Sequence, residues 1–209
     1  RQAAWRLAQL LILGAFFLLA ISFKSQQQAP VDPPSLSSGT TSTSTTSLVE
    51  ETPGVRSFTL VASGELLVHE YVADAARSTD GTQWDFTPMF SRVAPVLQSA
   101  DLALCHLETP LSADNSDLSY YPGFSVPFEL AQAISQAGYD GCSVASNHSL
   151  DAGTSGAAST LNHLENAVIG AAGMATSPEQ AGPAFYQANG VTVAHLSVTD
   201  LLNGATLPT

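Results

Sequence analysis

The sequence predicts an α/β fold for its larger part, and three observations carry that expectation. Short apolar runs rich in β-branched and aromatic residues alternate with segments whose apolar residues recur at three-and-four spacing. Strands that alternate with helices in this way form a largely parallel sheet, buried on both faces. A hydrophobic content of 44% and 15 glycines suit a packed globular part of this kind.

The first segment is of a different nature. Leu7 to Phe23 is a 17-residue run with only Gln9 and Ser22 as polar members. As a helix it reaches about 26 Å, near the lower limit for spanning hydrocarbon. Arg1 and Arg6 precede it and Lys24 comes after it, a bias that places the N-terminal side in the cytoplasm. An uncleaved single-pass anchor over residues 1–24 is the preferred reading. A cleaved signal segment, with Ala20-Ile21-Ser22 as its processing site, is the alternative. Both export the rest of the chain, so the folded part is expected outside the cytoplasm, at the cell membrane. Residues 25–55 are dominated by Ser, Thr, Gln and Pro and hold almost nothing that could enter a core, which predicts a disordered tether. The start at Arg1 rather than Met and the stop at Thr209 lead us to expect a longer chain.

The α/β pattern occupies residues 56–209. Ser57 to Ala62 reads as a strand, with Ser63-Gly64-Glu65 as the turn after it. Trp84-Asp85-Phe86 is expected to anchor a long loop by burying its rings. Phe90, Val93, Ala94 and Leu97 have helical spacing over Phe90 to Ser99. Leu102 to Leu107 is a second strand, and Glu129 to Ala137 a helix stopped by Gly138. Gly141 to Ala145 is a third strand, Gly156 to Asn166 a third helix, and Val191 to Val198 a further strand.

Charge excludes one class of partner. Beyond Lys24 the chain has three arginines against all 18 of its acidic residues. Such a surface repels polyanions, and nucleic-acid binding needs the clustered Lys and Arg that are missing. Cys105 and Cys142 each lie in an apolar run, and two buried thiols are the preferred reading, with a disulfide open as the alternative.

Three polar clusters fall at the carboxyl ends of successive strands, where open parallel sheets bind ligands. They are Gly64-Glu65 with His69, then His106-Leu107-Glu108-Thr109-Pro110, then Asn147-His148 with Asp151 and Gly153. Carboxylate, amide and imidazole groups together suit a divalent Mn, Fe, Zn or Mg ion. Taken singly, each cluster reads as a turn or a loop cap. Their recurrence at three strand ends is what points to a site. His163 is expected to be solvated, His195 to be a hydrogen-bonded core histidine, and Tyr120 to Phe124 to form either a pocket rim or loop packing.

Taken together, Gly64-Glu65, Ala100-Asp101-Leu102 running to His106-Leu107-Glu108-Thr109-Pro110-Leu111, and Ala145-Ser146-Asn147-His148 with Leu150-Asp151 and Gly153 resemble the CapA family of poly-gamma-glutamate capsule synthesis proteins. The likeness covers about residues 57–200. It implies a calcineurin-like metallophosphatase fold, a β-sandwich flanked by helices. It also implies Glu65, Glu108 and Asn147 as metal ligands, His148 as acid or phosphoryl contact, and Asp151 as the group that orients His148 or its loop. Two residues depart from the family pattern. Glu65 stands where Asp is usual, which moves a ligand oxygen by about 1.5 Å. His106 replaces an Asn, as a further nitrogen ligand or as pocket wall. A later His-containing motif is expected beyond Thr209. Three functions stand as expectations: a metal-dependent hydrolase acting on an envelope polymer, a non-catalytic scaffold for that polymer or its synthesis machinery, and a domain that has lost its metal.

Overall fold

The computed structural model describes residues 54–207. The expected membrane segment and almost all of the linker lie outside the described residues. Among those described, no helix is long and apolar enough to cross a membrane.

Four parallel strands form the main sheet in sequence order: β1 (Leu60–Leu66), β2 (Leu102–Leu107), β3 (Gly141–Ser143) and β4 (Gly170–Ala172). Between them run α1 (Glu70–Ala76), α2 (Thr87–Phe90), α3 (Ala94–Leu97), α4 (Glu129–Ala137) and α5 (Gly153–Asn166). An antiparallel hairpin comes next, β5 (Ala184–Ala188) and β6 (Val191–His195). The fold is therefore mixed α/β, as the alternation of strands and helices predicts.

The core explains why these segments take these states. On α4, Leu130, Ala131, Ile134 and Ala137 are buried at helical spacing, together with Ala133. They join Ala103, Cys105 and Leu107 of β2 and Cys142 of β3 in one apolar cluster. Burying a side chain such as Ile134 stabilises the fold by about 1.5–3 kcal/mol. Gly138 ends the helix in the left-handed region at φ 102°, and a Cβ there would come within 2.6 Å of Gln98. On the other face of the sheet, Tyr186 of β5 lies over Gly141 and Gly170. A Cβ at those positions would come within 1.9 and 2.5 Å of the Tyr186 hydroxyl. His195 of β6 reaches Ser143 at 2.9 Å. The hairpin thus forms a partial second layer over β3 and β4, and the glycines are what let it approach.

Several expectations need correction. Ser63-Gly64-Glu65 is no turn: β1 runs through it, with a bulge between Ala62 and Glu65, because Gly64 lets the edge strand absorb an extra residue. The helix expected over Phe90 to Ser99 is a single turn, Ala94–Leu97, preceded by another at Thr87–Phe90, since Pro95 lacks the N–H that would join the two. α1 and β5 carry no strong periodic signal, and the sequence does not predict them. Cys105 and Cys142 are register partners with Cα atoms 4.4 Å apart, joined as a disulfide rather than held as two thiols. His163 is only partly solvated: its ring stacks on Phe128 at 4.7 Å and its Nε2 meets the Ala113 carbonyl at 3.2 Å. Phe86 is buried as the loop anchor with Trp84 partly buried beside the core, and His195 is hydrogen-bonded as expected but half-buried rather than in the core.

Candidate functional site

The carboxyl end of the sheet brings together one group of residues from the strands and a second from the loop after β3. The strand group starts with Glu65, whose register partner across the bulge is His106. Strand alternation puts His106 and Glu108 on the same side of β2. Glu65 is exposed on the edge strand, whereas Glu108 is buried. Burial raises the Glu108 carboxyl above its ordinary value and the Glu65 carboxylate beside it raises it further, while His148 and His106 act in the opposite direction. Glu108 Oε2 and His106 Nε2 are both buried without a hydrogen-bond partner.

The loop group is built differently. Ser146 Oγ donates to the Glu108 carbonyl at 2.7 Å and accepts from His148 N at 3.0 Å. Ser149 Oγ accepts from Ser146 N at 2.7 Å and donates to the Val144 carbonyl at 2.9 Å. These buried bonds fold the Ser146–Ser149 segment back onto β3. His148 Nδ1 lies 2.6 Å from Asp151 Oδ2, which also accepts from Phe124 N at 2.9 Å. The buried Phe124 ring meets the His148 ring edge-on at 4.7 Å and pins its plane. His148 Nε2 is left facing Glu108 Oε1 at 3.8 Å. A groove of about 760 Å³ opens in front, bounded by Tyr121, Asn147, His148, Asp151, Leu202 and Asn203.

Four of the five residues singled out in the sequence, Glu65, Glu108, His148 and Asp151, are therefore linked in one cluster, with His106 beside them. Asn147 borders the same groove, but its amide points to Asn203 at 3.3 Å rather than to the carboxylates. Two carboxylates and two imidazoles, two of whose buried atoms have no partner, form a donor set whose chemistry suits a divalent cation. Among the described residues, however, no three His, Cys, Asp or Glu side chains gather closely enough to hold one. Sequence reasoning misses Asn203, which touches Asn147, His148 and Asp151. Its only signal is the Asn203-Gly204 pair, a turn dipeptide after the last strand.

The model of the family described as bacterial capsule synthesis protein PGA_cap matches residues 59–207. The chain belongs to this family. The match spans both groups of the site, from Glu65 to Asn203, and stops short of the apolar segment and the linker. A search of curated proteins gives no match. Membership of the family establishes the connection to capsule synthesis, and the reaction has to be argued from the site.

Proposed function

We propose that this capsule synthesis protein binds a divalent cation (Mn, Fe, Zn or Mg) through Glu65, Glu108 and Asn147, and cleaves or transfers a bond in an envelope polymer outside the cytoplasm. The observation that carries this reading is Glu108: a buried carboxylate with an unpartnered oxygen, beside a second carboxylate and the unpartnered His106 Nε2. Like charges held together at a strand end are stabilised by a cation placed between them. When bound, such an ion polarises the scissile group and lowers the pKa of an attacking water. His148, braced by Asp151, presents Nε2 to the same point as the acid or phosphoryl contact. The apolar run at residues 7–23 would hold the domain at the membrane, and a metallophosphatase-like sandwich would extend the second layer begun by β5 and β6.

Metal analysis of the full chain tests the proposal. Stoichiometric Mn, Fe or Zn that is lost in Glu108→Ala supports it; a folded, metal-free wild type overturns it. Turnover of a chromogenic phosphodiester then separates catalyst from scaffold. The scaffold reading draws on one observation, the lack of three converging acidic or imidazole donors among the described residues. It predicts polymer binding with no turnover.

A further inference from the structure

We propose that the groove in front of His148 holds a neutral glycan strand, one sugar ring of which stacks on Tyr121, so that the polymer worked on here is a polysaccharide rather than a polyanion or a peptide. This rests on the reading above, in that it names the substrate class of that same site.

The groove has two fixed walls. The first is the Tyr120–Phe124 loop. Ser119 and Ser125 close its base with a pair of backbone hydrogen bonds, N–H to carbonyl in each direction, at 2.9 and 3.0 Å. Tyr120 packs against the core and Phe124 is buried, whereas Tyr121 is 76% exposed and borders the groove. The second wall is the Leu202–Ala205 turn, closed by Ala205 N donating to the Leu202 carbonyl at 2.8 Å. Its central residues Asn203 and Gly204 are left-handed, at φ 49° and 85°, which Asn-Gly accepts readily. Asp151 ties the walls together, accepting from Phe124 N on Oδ2 at 2.9 Å and from Asn203 Nδ2 on Oδ1 at 3.3 Å. A groove braced in this way loses little affinity to ordering its own walls.

The lining decides what fits between these walls. None of the three arginines beyond Lys24 borders the groove. Arg56 donates to the Gly190 carbonyl, and Arg77 donates to the Gly81 carbonyl and lies over the Trp84 ring at 5.5 Å. A polyanion needs a row of positive groups along its path, and one cation at Glu108 meets only one of its charges. An extended peptide takes much of its affinity from backbone pairing with a strand edge, whereas both walls here are loops. A glycan needs neither. One face of a sugar ring carries C–H bonds that suit the negative face of an aromatic ring, and its hydroxyl edge seeks uncharged donors and acceptors. Tyr121 supplies such a face together with a hydroxyl, and the exposed Asn203 supplies an amide. Gly123 and Gly204 leave the walls bare, since a Cβ at either would meet nothing within 4 Å.

Saturation-transfer NMR on the full chain, with chelator present, tests this. The probes are two neutral glycans, an N-acetylglucosamine hexamer and a cellohexaose, and a poly-gamma-glutamate oligomer of similar length. At least one neutral hexamer should bind, with the strongest transfer to the ring C–H protons of one sugar unit. Tyr121→Ala should weaken that binding about tenfold, and Tyr121→Trp should retain it, because the stacking face is lost in one and kept in the other. Gly123→Leu should weaken it too, by filling the groove. Tyr121 lies outside the core, so its variants should melt with wild type. The glutamate oligomer should not bind. No transfer to either neutral probe, equal binding by Tyr121→Ala, or tighter binding of the glutamate oligomer overturns the proposal. Chelator keeps cations out of the measurement, so a protein that takes up no metal would sink the functional reading and leave this result standing.

Discussion

The two halves of the candidate site differ in how their polar atoms are satisfied. On the strand side, Glu65, His106 and Glu108 are set by sheet register, and two of their buried atoms have no partner. On the loop side, His148 Nδ1, Asp151 and Asn203 are held by one another and by backbone. A buried polar atom without a hydrogen bond is costly, and two of them side by side at a strand end, next to a second carboxylate, mark a place where a ligand can satisfy them. A saturated network resists rearrangement and holds a side chain in one orientation. The strand half is thus the part built to receive something, and the loop half the part built to aim. Ser146 is the joint between them, bonded to the Glu108 carbonyl on one side and to His148 N on the other.

This division can be broken at either half. The largest effect is expected at Glu108. Glu108→Gln should abolish divalent-cation binding measured by titration calorimetry, and it should stabilise the metal-free protein at neutral pH. The sign comes from linkage. Glu108 is raised above its ordinary 4.5, so the folded state holds the proton more tightly than the unfolded chain. Metal-free wild type should lose stability as pH rises from 4.5 through the raised value, and the variant should not show that loss. If wild type and variant lose stability in parallel, the two halves do not differ in the way described. Next comes Asp151→Asn. Asp151 orients His148, which is not one of the proposed ligands, so the loss should fall on turnover of the chromogenic phosphodiester, by about 10–100-fold, with cation binding kept. Loss of cation binding would place Asp151 on the receiving side. Ser146→Ala is third. It removes a buried hydroxyl that both donates and accepts, and should destabilise by about 1–3 kcal/mol in denaturant unfolding. Its effect should fall on both halves, seen as weaker cation binding together with greater mobility of the His148 ring.

How much of this is legible in the sequence divides along the same line. β2 and α4 are readable to the residue, because Leu102–Leu107 is a compact apolar run and Glu129–Ala137 has a clean buried face ending in a left-handed Gly138. The strand-end position of Glu108 comes with them. Glu65 reads as a turn residue because Ser-Gly-Glu is turn chemistry, and only pairing with β2 makes it part of a bulge. The adjacent pair Asn147-His148 with Asp151 is visible as local spacing. Asn203 is not, since it meets Asp151 from 52 residues away. The hairpin is legible only in its second strand for a related reason. Tyr186 makes sense in its strand only once Gly141 and Gly170 lie beneath it.

The smallest expected effect lies outside both halves and serves as their control. His195 is half-buried between the sheet and the hairpin, with Nε2 on Ser143 Oγ and Nδ1 buried without a partner. Burial lowers its pKa below the ordinary 6.5, because the charged ring cannot be solvated there. The unfolded chain then takes up the proton more readily than the folded one. The stability this group contributes is fully present above 6.5 and declines as pH falls through the folded value. His195→Gln keeps a polar partner for Ser143 and cannot be protonated. The melting temperatures of the two proteins, compared between about pH 5 and 8, should therefore draw together as the pH falls, even where wild type is the more stable at the upper end. Cation binding should be nearly the same in both, since His195 bonds to Ser143, the register partner of His106, and to none of the proposed ligands. A change in cation binding in His195→Gln would mean that the hairpin layer sets the strand half, and that the site divides in three rather than two.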